Sequence, residues 1–151
     1  MQSAPATRYK TFEFTTATTW SAGRQGSVSS PGKPELTVAS PPEFRGVPGV
    51  WTPEDFYVAA IESCQMTTFL ALAARSGLAL KRYASSARGR LEFQDGGYRF
   101  TAVDINVRVG VLSEDDARTA RDLVDQAHHS CLIGRSALAS ITVHPDITVE
   151  P

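Results

Sequence analysis

Cysteine is scarce in this chain of 151 residues: there are two, Cys64 and Cys131, 67 positions apart. Two are too few for a disulfide scaffold, and their spacing lacks the close CxxC pairs of a zinc site. Histidine is scarce as well, with His128, His129 and His144 giving no metal-ligand pattern, so no metal or other cofactor is expected. An excess of either charge is missing: 15 basic and 16 acidic side chains are interspersed, for a formal net charge of −1. That excludes the basic footprint of a nucleic-acid binder. Residues 1–7 have neither a charged n-region nor an apolar h-region, so no signal peptide is expected. The apolar run at 56–74 approaches the length of a membrane span, but Glu62, Gln65 and a Ser/Thr cluster interrupt it. A buried central helix explains that run better than a bilayer does. No internal repeat or low-complexity tract occurs. The expectation is a flexible segment 1–7 followed by one soluble, cytoplasmic domain over 8–151, whose thiols rest reduced.

What is present orders itself well. Residues 8–19, with Phe12 and Phe14 alternating against polar neighbours, read as a strand. Gly23-Arg24-Gln25-Gly26 supplies a turn, 27–29 a return strand and 35–39 another, before a Pro/Gly loop at 40–52. Thr52 suits an N-cap, Pro53 the first helical position, and Glu54 and Asp55 the first turn. This helix runs to Ser76, with Gly77 as its stop. It is apolar on nearly every side between Phe56 and Ala74, so it is expected to be enclosed. Asp95-Gly96-Gly97 marks a hairpin between 82–93 and 98–112. In the second strand Val103, Ile105, Val107, Val109 and Val111 share a face opposite Asp104, Asn106 and Arg108. Ser113-Glu114-Asp115-Asp116 opens a second helix, 113–131, whose stripe of Ala117, Ala120, Val124, Ala127 and Cys131 points inward. His128 and His129 sit at its end, where the helix dipole accounts for them. A last strand, 140–149, is expected to be interrupted at His144-Pro145. Strands, helix, hairpin, helix and strand make an α+β domain.

On composition and spacing alone, the two cysteines are either inert buried thiols or a redox pair brought together by the fold. Three segments bear on the choice. Trp51-Thr52-Pro53-Glu54-Asp55-Phe56, with Cys64 ten residues after Glu54, resembles the T-N-P-E-x-L segment of the OsmC/Ohr family, the osmotically inducible and organic hydroperoxide resistance proteins. Ala127-His128-His129-Ser130-Cys131-Leu132-Ile133-Gly134-Arg135-Ser136 resembles that family's A-x-x-x-C-P segment. Gly23-Arg24-Gln25-Gly26-Ser27-Val28-Ser29-Ser30 resembles the G-R-D-G-x-x-x-S loop of the Ohr branch. Together, in order, they span nearly the whole chain. Leu132 stands where the family usually has proline, and Phe44-Arg45-Gly46 offers a rival to Arg24 in the loop that supplies an arginine in the OsmC branch.

The resemblance implies an OsmC-like α+β fold, with antiparallel sheets wrapped around central helices in an intertwined homodimer. It implies a thiol-dependent peroxidase that reduces organic hydroperoxides. Cys64 would be the peroxidatic cysteine and Cys131 the resolving one; Arg24 and Glu54 would orient and activate the thiolate, and a thiol reductant such as a lipoyl dithiol would restore the pair. The apolar neighbours Ile61, Met66 and Phe69 would receive an organic tail. Glu54 also has a plain explanation as a first-turn acid. Ten residues of straight helix put it about 15 Å from Cys64, so contact needs a helix break near 56–59 or donation across a dimer interface. Glu62 stays unassigned. The alternative reading is a non-catalytic OsmC-like dimer that binds an apolar ligand or senses peroxide.

Overall fold

Turn chemistry and β-branched alternation decide most of the strands. The structure, a computed structural model, describes residues 6–151; the first five positions of the expected flexible segment lie outside the described residues. The chain divides into two compact units, one ending at Pro53 and one spanning Glu54–Pro151.

The first unit is a three-stranded antiparallel sheet of β1 (Ala17–Ala22), β2 (Gln25–Ser29) and β3 (Leu36–Ala39), in that order. Gly23, at φ 53°, takes the left-handed turn conformation between β1 and β2, and the Trp20 indole N–H donates to its carbonyl at 3.0 Å. The strand expected over 8–19 begins only at Ala17, which pairs with Ser29. Residues 6–16 form no regular element, because β2 is five residues long and offers no backbone for an earlier stretch to pair with. After β3 the loop makes one 3-10 turn at Pro42–Phe44 and returns to the sheet, where Trp51 bridges Val38.

In the second unit the long helix α1 (Pro53–Ser76) starts and stops where its punctuation residues stand. Pro53 fixes the first helical φ, and Glu54 and Asp55 complement the dipole. Gly77 at φ 69° closes a Schellman motif: its N–H donates to the Ala74 carbonyl at 3.3 Å, and that of Leu78 to Ala73 at 3.1 Å. Strands β4 (Leu80–Gln94) and β5 (Gly97–Val111) form the expected hairpin. Asp95 (φ 51°) and Gly96 (φ 86°) are its two left-handed turn residues. Helix α2 (Glu114–Ser130) is capped by Ser113, whose hydroxyl oxygen accepts from the Asp116 N–H at 3.1 Å. A four-residue helix α3 (Leu132–Arg135) and strand β6 (Ser140–Val149) complete the chain.

The sheet order is β4-β5-β6, with β4 and β5 antiparallel but β5 and β6 parallel. This mixed sheet departs from the wholly antiparallel expectation, because α2 and α3 form a crossover that brings β6 back in the direction of β5. The interruption expected at His144-Pro145 is absent; β6 is continuous and Pro145 pairs in register with Val107. An edge strand tolerates a missing N–H on its unpaired side.

The core lies on one face of this sheet. Val103, Ile105, Val107, Val109 and Val111 are wholly buried, with Ala120, Val124 and Ala127 of α2 packed among them. From α1 the buried row is Ile61, Gln65, Phe69 and Ala73, at steps of four. One chain therefore covers one side of α1, and Leu70 stays 37% exposed on another. The expected enclosure of α1 on all sides is not met within a single chain, since the unit offers it one sheet face and one helix. Helix α1 packs close against β4 at Gly89, where an added Cβ would lie 2.5 Å from Val58 Cγ2 and 2.8 Å from Phe100 Cε1. Tyr57 stacks on Phe100 beside it, with ring centroids 4.5 Å apart.

Gly89→Ala therefore forces α1 away from β4 and is expected to destabilise the fold by about 1–3 kcal/mol. A urea denaturation midpoint equal to wild type would show that the close approach of α1 to β4 is not a constraint.

Candidate active site

Cys64 sits on the middle of α1, one position before the buried Gln65, so its thiol points beside the core row and is half-buried. Cys131 is where α2 ends: its φ of −62° and ψ of 117° are extended, and the chain turns there into α3. The stripe expected on α2 holds, with Ala120, Val124, Ala127 and Cys131 buried and Ala117 half-buried against the core. Gln65 ties the two elements together, its side-chain N–H donating to the Val124 carbonyl at 3.1 Å.

The fold thus brings the two thiols together, and it treats them differently. Burial works against ionising Cys64, but four donors outweigh it: the Cys131 thiol, the Ile133 backbone, the Thr68 hydroxyl and the Leu132 backbone. The Cys64 thiol is thereby held below its ordinary value. Thr68 Oγ1 lies 3.8 Å from Cys64 Sγ, one helical turn along α1. Cys131 goes the other way, pushed up to about 11, by burial first and then by donating to and repelling the Cys64 sulfur. The Gly134 N–H, which donates to Cys131 Sγ at 3.2 Å, only partly offsets this. Of the pair, Cys64 is the more readily ionised and Cys131 the one that keeps its proton. The thiolate is the nucleophilic form of cysteine, and its formation is favoured at Cys64 over Cys131.

Thr68 and the amides of α3 are not among the residues expected from the sequence. Thr68 was legible in principle, since it stands four positions after Cys64; the amides carry no side-chain signal. Glu62 has a partner away from the thiols, accepting from the Ser85 hydroxyl at 2.7 Å. It also raises Tyr83, whose phenol is pushed to about 12, chiefly by burial. Phe69 is wholly buried against Tyr83 at 5.3 Å between centroids, and so offers no surface to an organic tail. Met66 remains half-buried and Ile61 lines a cavity.

Glu54 lies in the first turn of an α1 that runs unbroken through residues 56–59. The helix-break route to Cys64 is therefore closed within one chain. Its Oε2 is buried without a hydrogen-bond partner. In the first unit, the Arg24 guanidinium donates to the Phe44 carbonyl at 2.8 Å. Arg45 holds a left-handed conformation at φ 63° at the end of the 3-10 turn. Beside Cys131 a cavity of about 190 Å³ is walled by Ile61, Ile105 and Ile141, with His128 and Arg135 also lining it. Among the described residues, no cluster of His, Cys, Asp or Glu could hold a metal ion.

A family model described as OsmC-like protein matches residues 46–146. No curated protein matches the chain. Among solved structures, an OsmC-like protein of unknown function from Vibrio cholerae is similar at a TM-score of 0.78 and 22% identity, covering 91% of this chain and 99% of that one. An organic hydroperoxide resistance protein OsmC from Legionella pneumophila has a TM-score of 0.71 and 21% identity, covering 91% and 98%. A candidate organic hydroperoxide resistance protein from Vibrio cholerae, with captopril bound in one of its active sites, has a TM-score of 0.65 and 27% identity, covering 92% and 93%.

The donors around Cys64 set its pH dependence. Alkylation of Cys64 by iodoacetamide is expected to rise with pH around a midpoint below that of an ordinary thiol. Thr68→Val and Cys131→Ala should each move that midpoint upward, because each removes a donor to the thiolate. Midpoints that stay put in both variants would show that neither group holds the anion.

Proposed function

The chain belongs to the OsmC-like protein family, and from that footing we propose that it is a cysteine-based peroxidase that reduces organic hydroperoxides to alcohols. The observation that carries the proposal is the unequal thiol pair, with Cys64 held toward the thiolate and Cys131 held as the thiol that donates to it. The Cys64 thiolate attacks the terminal oxygen of the hydroperoxide. A sulfur–oxygen bond forms, the O–O bond breaks, and the alkoxide leaves as the alcohol after taking a proton. Cys131 then attacks the sulfenic sulfur, water leaves, and a Cys64–Cys131 disulfide remains. A dithiol such as a lipoyl group returns both sulfurs to thiols. Solved relatives described as organic hydroperoxide resistance proteins fit this reading. So does the presence of captopril, a small thiol, in an active site of one of them.

Arg24 and Glu54 take the orienting roles that the family resemblance gives them. A buried carboxylate oxygen without a partner is costly, and a guanidinium is the group that would satisfy the Glu54 Oε2. With α1 unbroken, the Glu54 that serves a given Cys64 belongs to a second copy of the chain, so the working unit is a homodimer. The uncovered side of α1 and the exposed Phe12, Phe14 and Trp20 are apolar surface of the kind a second copy covers. The compartment in this reading is the cytoplasm, where a reduced resting state is maintained.

Peroxide consumption with a dithiol, comparing cumene hydroperoxide with hydrogen peroxide, tests the proposal. Turnover should vanish in Cys64→Ser, and the organic substrate should have the higher kcat/KM. In Cys131→Ser, excess peroxide should carry Cys64 on to sulfinic acid. Arg24→Ala is expected to slow the wild-type reaction about 10²–10³-fold while shifting the melting temperature little, since Arg24 is exposed. Consumption that stops at one peroxide per chain despite the dithiol would replace the enzyme by a peroxide sensor. Near-normal turnover in Arg24→Ala would transfer the role to Arg45 or to no arginine.

A further inference from the structure

The peroxidase reading leaves open which sulfur of the disulfide the reductant attacks, and from where. The cavity beside Cys131 bears on both points. It is lined by Cys131 but not by Cys64, although Cys64 is the more exposed of the two thiols. The exposed side of Cys64 is therefore a different side of the site from the cavity. Ile61, Ile105 and Ile141 make the cavity wall apolar, Arg135 and His128 add basic groups, and no carboxylate lines it. Its volume of about 190 Å³ suits the thiol end of a small ligand and not a whole cofactor. Gly134 keeps the approach open: a Cβ there would lie 3.4 Å from both Cys131 Sγ and Ile141 Cδ1.

We propose that this cavity is the docking site of the reducing thiol, an apolar thiol or dithiol carrying an anionic group, and that the incoming sulfur attacks Cys131. The inference rests on the peroxidase reading for the origin of the disulfide. In the step itself, the external thiolate forms a bond to Cys131 Sγ, the Cys131–Cys64 bond breaks, and the electron pair leaves on Cys64. The mixed disulfide on Cys131 is then attacked by the second thiol of the reductant. Cys131 departs and takes a proton, and the dithiol becomes a disulfide. Thiol exchange is faster when the departing sulfur is the better-stabilised anion. Cys64 is that sulfur, because Thr68 and the amides of Leu132 and Ile133 still donate to it after Cys131 has been captured. Attack from the cavity thus expels Cys64 in the thiolate form that the next peroxide requires. Peroxide and reductant use two different sides of one sulfur pair.

The test begins from disulfide prepared with diamide, so that it does not depend on peroxide turnover. This material is mixed with 3-mercaptopropionate, 2-mercaptoethanol or cysteamine and quenched in acid before one turnover is complete. Free thiols are alkylated and peptides mapped by mass spectrometry. The expected product carries the added thiol on Cys131 and the alkyl group on Cys64. At equal thiolate concentration the anionic thiol should react fastest. Arg135→Ala should slow it about two- to fivefold, the scale of one exposed charge pair, and leave the neutral thiol unchanged. Mixed disulfide on Cys64 would overturn the direction of attack. An Arg135→Ala effect that is absent, or equal for all three thiols, would overturn the docking site. If the trapping behaves as expected while wild type fails to consume peroxide, the peroxidase reading falls and the thiol site stands.

Discussion

The proposed chemistry hangs on one contact, the donation of the Cys131 thiol to the Cys64 sulfur. Two identical side chains become unlike because burial and this donation together oppose ionisation of Cys131, while the same donation eases it at Cys64. The break between α2 and α3 makes the contact feasible. Had α2 continued through residue 132, the amides of Leu132, Ile133 and Gly134 would have been spent on carbonyls of the preceding turn. Ending the helix at Cys131 frees them, and they turn to the two sulfurs instead.

That contact is held in place by packing some distance from it. The row Ile61, Gln65, Phe69 and Ala73 presses α1 onto the valine face of β5, while Val124 and Ala127 press α2 onto the same face. Each fully buried Val or Ile side chain contributes about 1.5–3 kcal/mol, so the sheet fixes both helices more firmly than the sulfur contact could. Gln65 then sets their relative position through its bond to Val124. It is the one polar member of the row, next in sequence to Cys64 and seven residues from Cys131 through Val124. Gly89 lets α1 approach β4 closely at its N-terminal end.

Much of this was legible in the residues. Asp95-Gly96 demanded left-handed backbone, Pro53 and Gly77 bounded α1, and the alternating branched residues of β5 announced a buried face. The cysteine pair followed from three motifs and not from spacing. Other features depended on tertiary partners that a local pattern does not contain. Phe12 and Phe14 alternate like a strand, yet β2 is too short to pair with them. Pro145 looks like an interruption until β6 is seen to lie at the sheet edge. The same turn toward β5 that makes the sheet mixed is a matter of crossover and not of composition. The donors to Cys64 divide in the same way: Thr68 stands at a helical step that can be counted, whereas backbone amides are anonymous in a sequence. Glu62, unassigned from the sequence, is committed to Ser85.

In the peroxidase reading, one hydroperoxide oxidises one Cys64–Cys131 pair. The most direct measurement is a titration of fully reduced protein with cumene hydroperoxide in the absence of any reductant, following free thiols, cumyl alcohol and disulfide-linked peptides together. The account predicts the loss of two thiols and the release of one alcohol per chain, with Cys64 and Cys131 joined within the same chain. Thiols that survive an excess of hydroperoxide, or a disulfide that joins Cys64 to a cysteine of another chain, would contradict it.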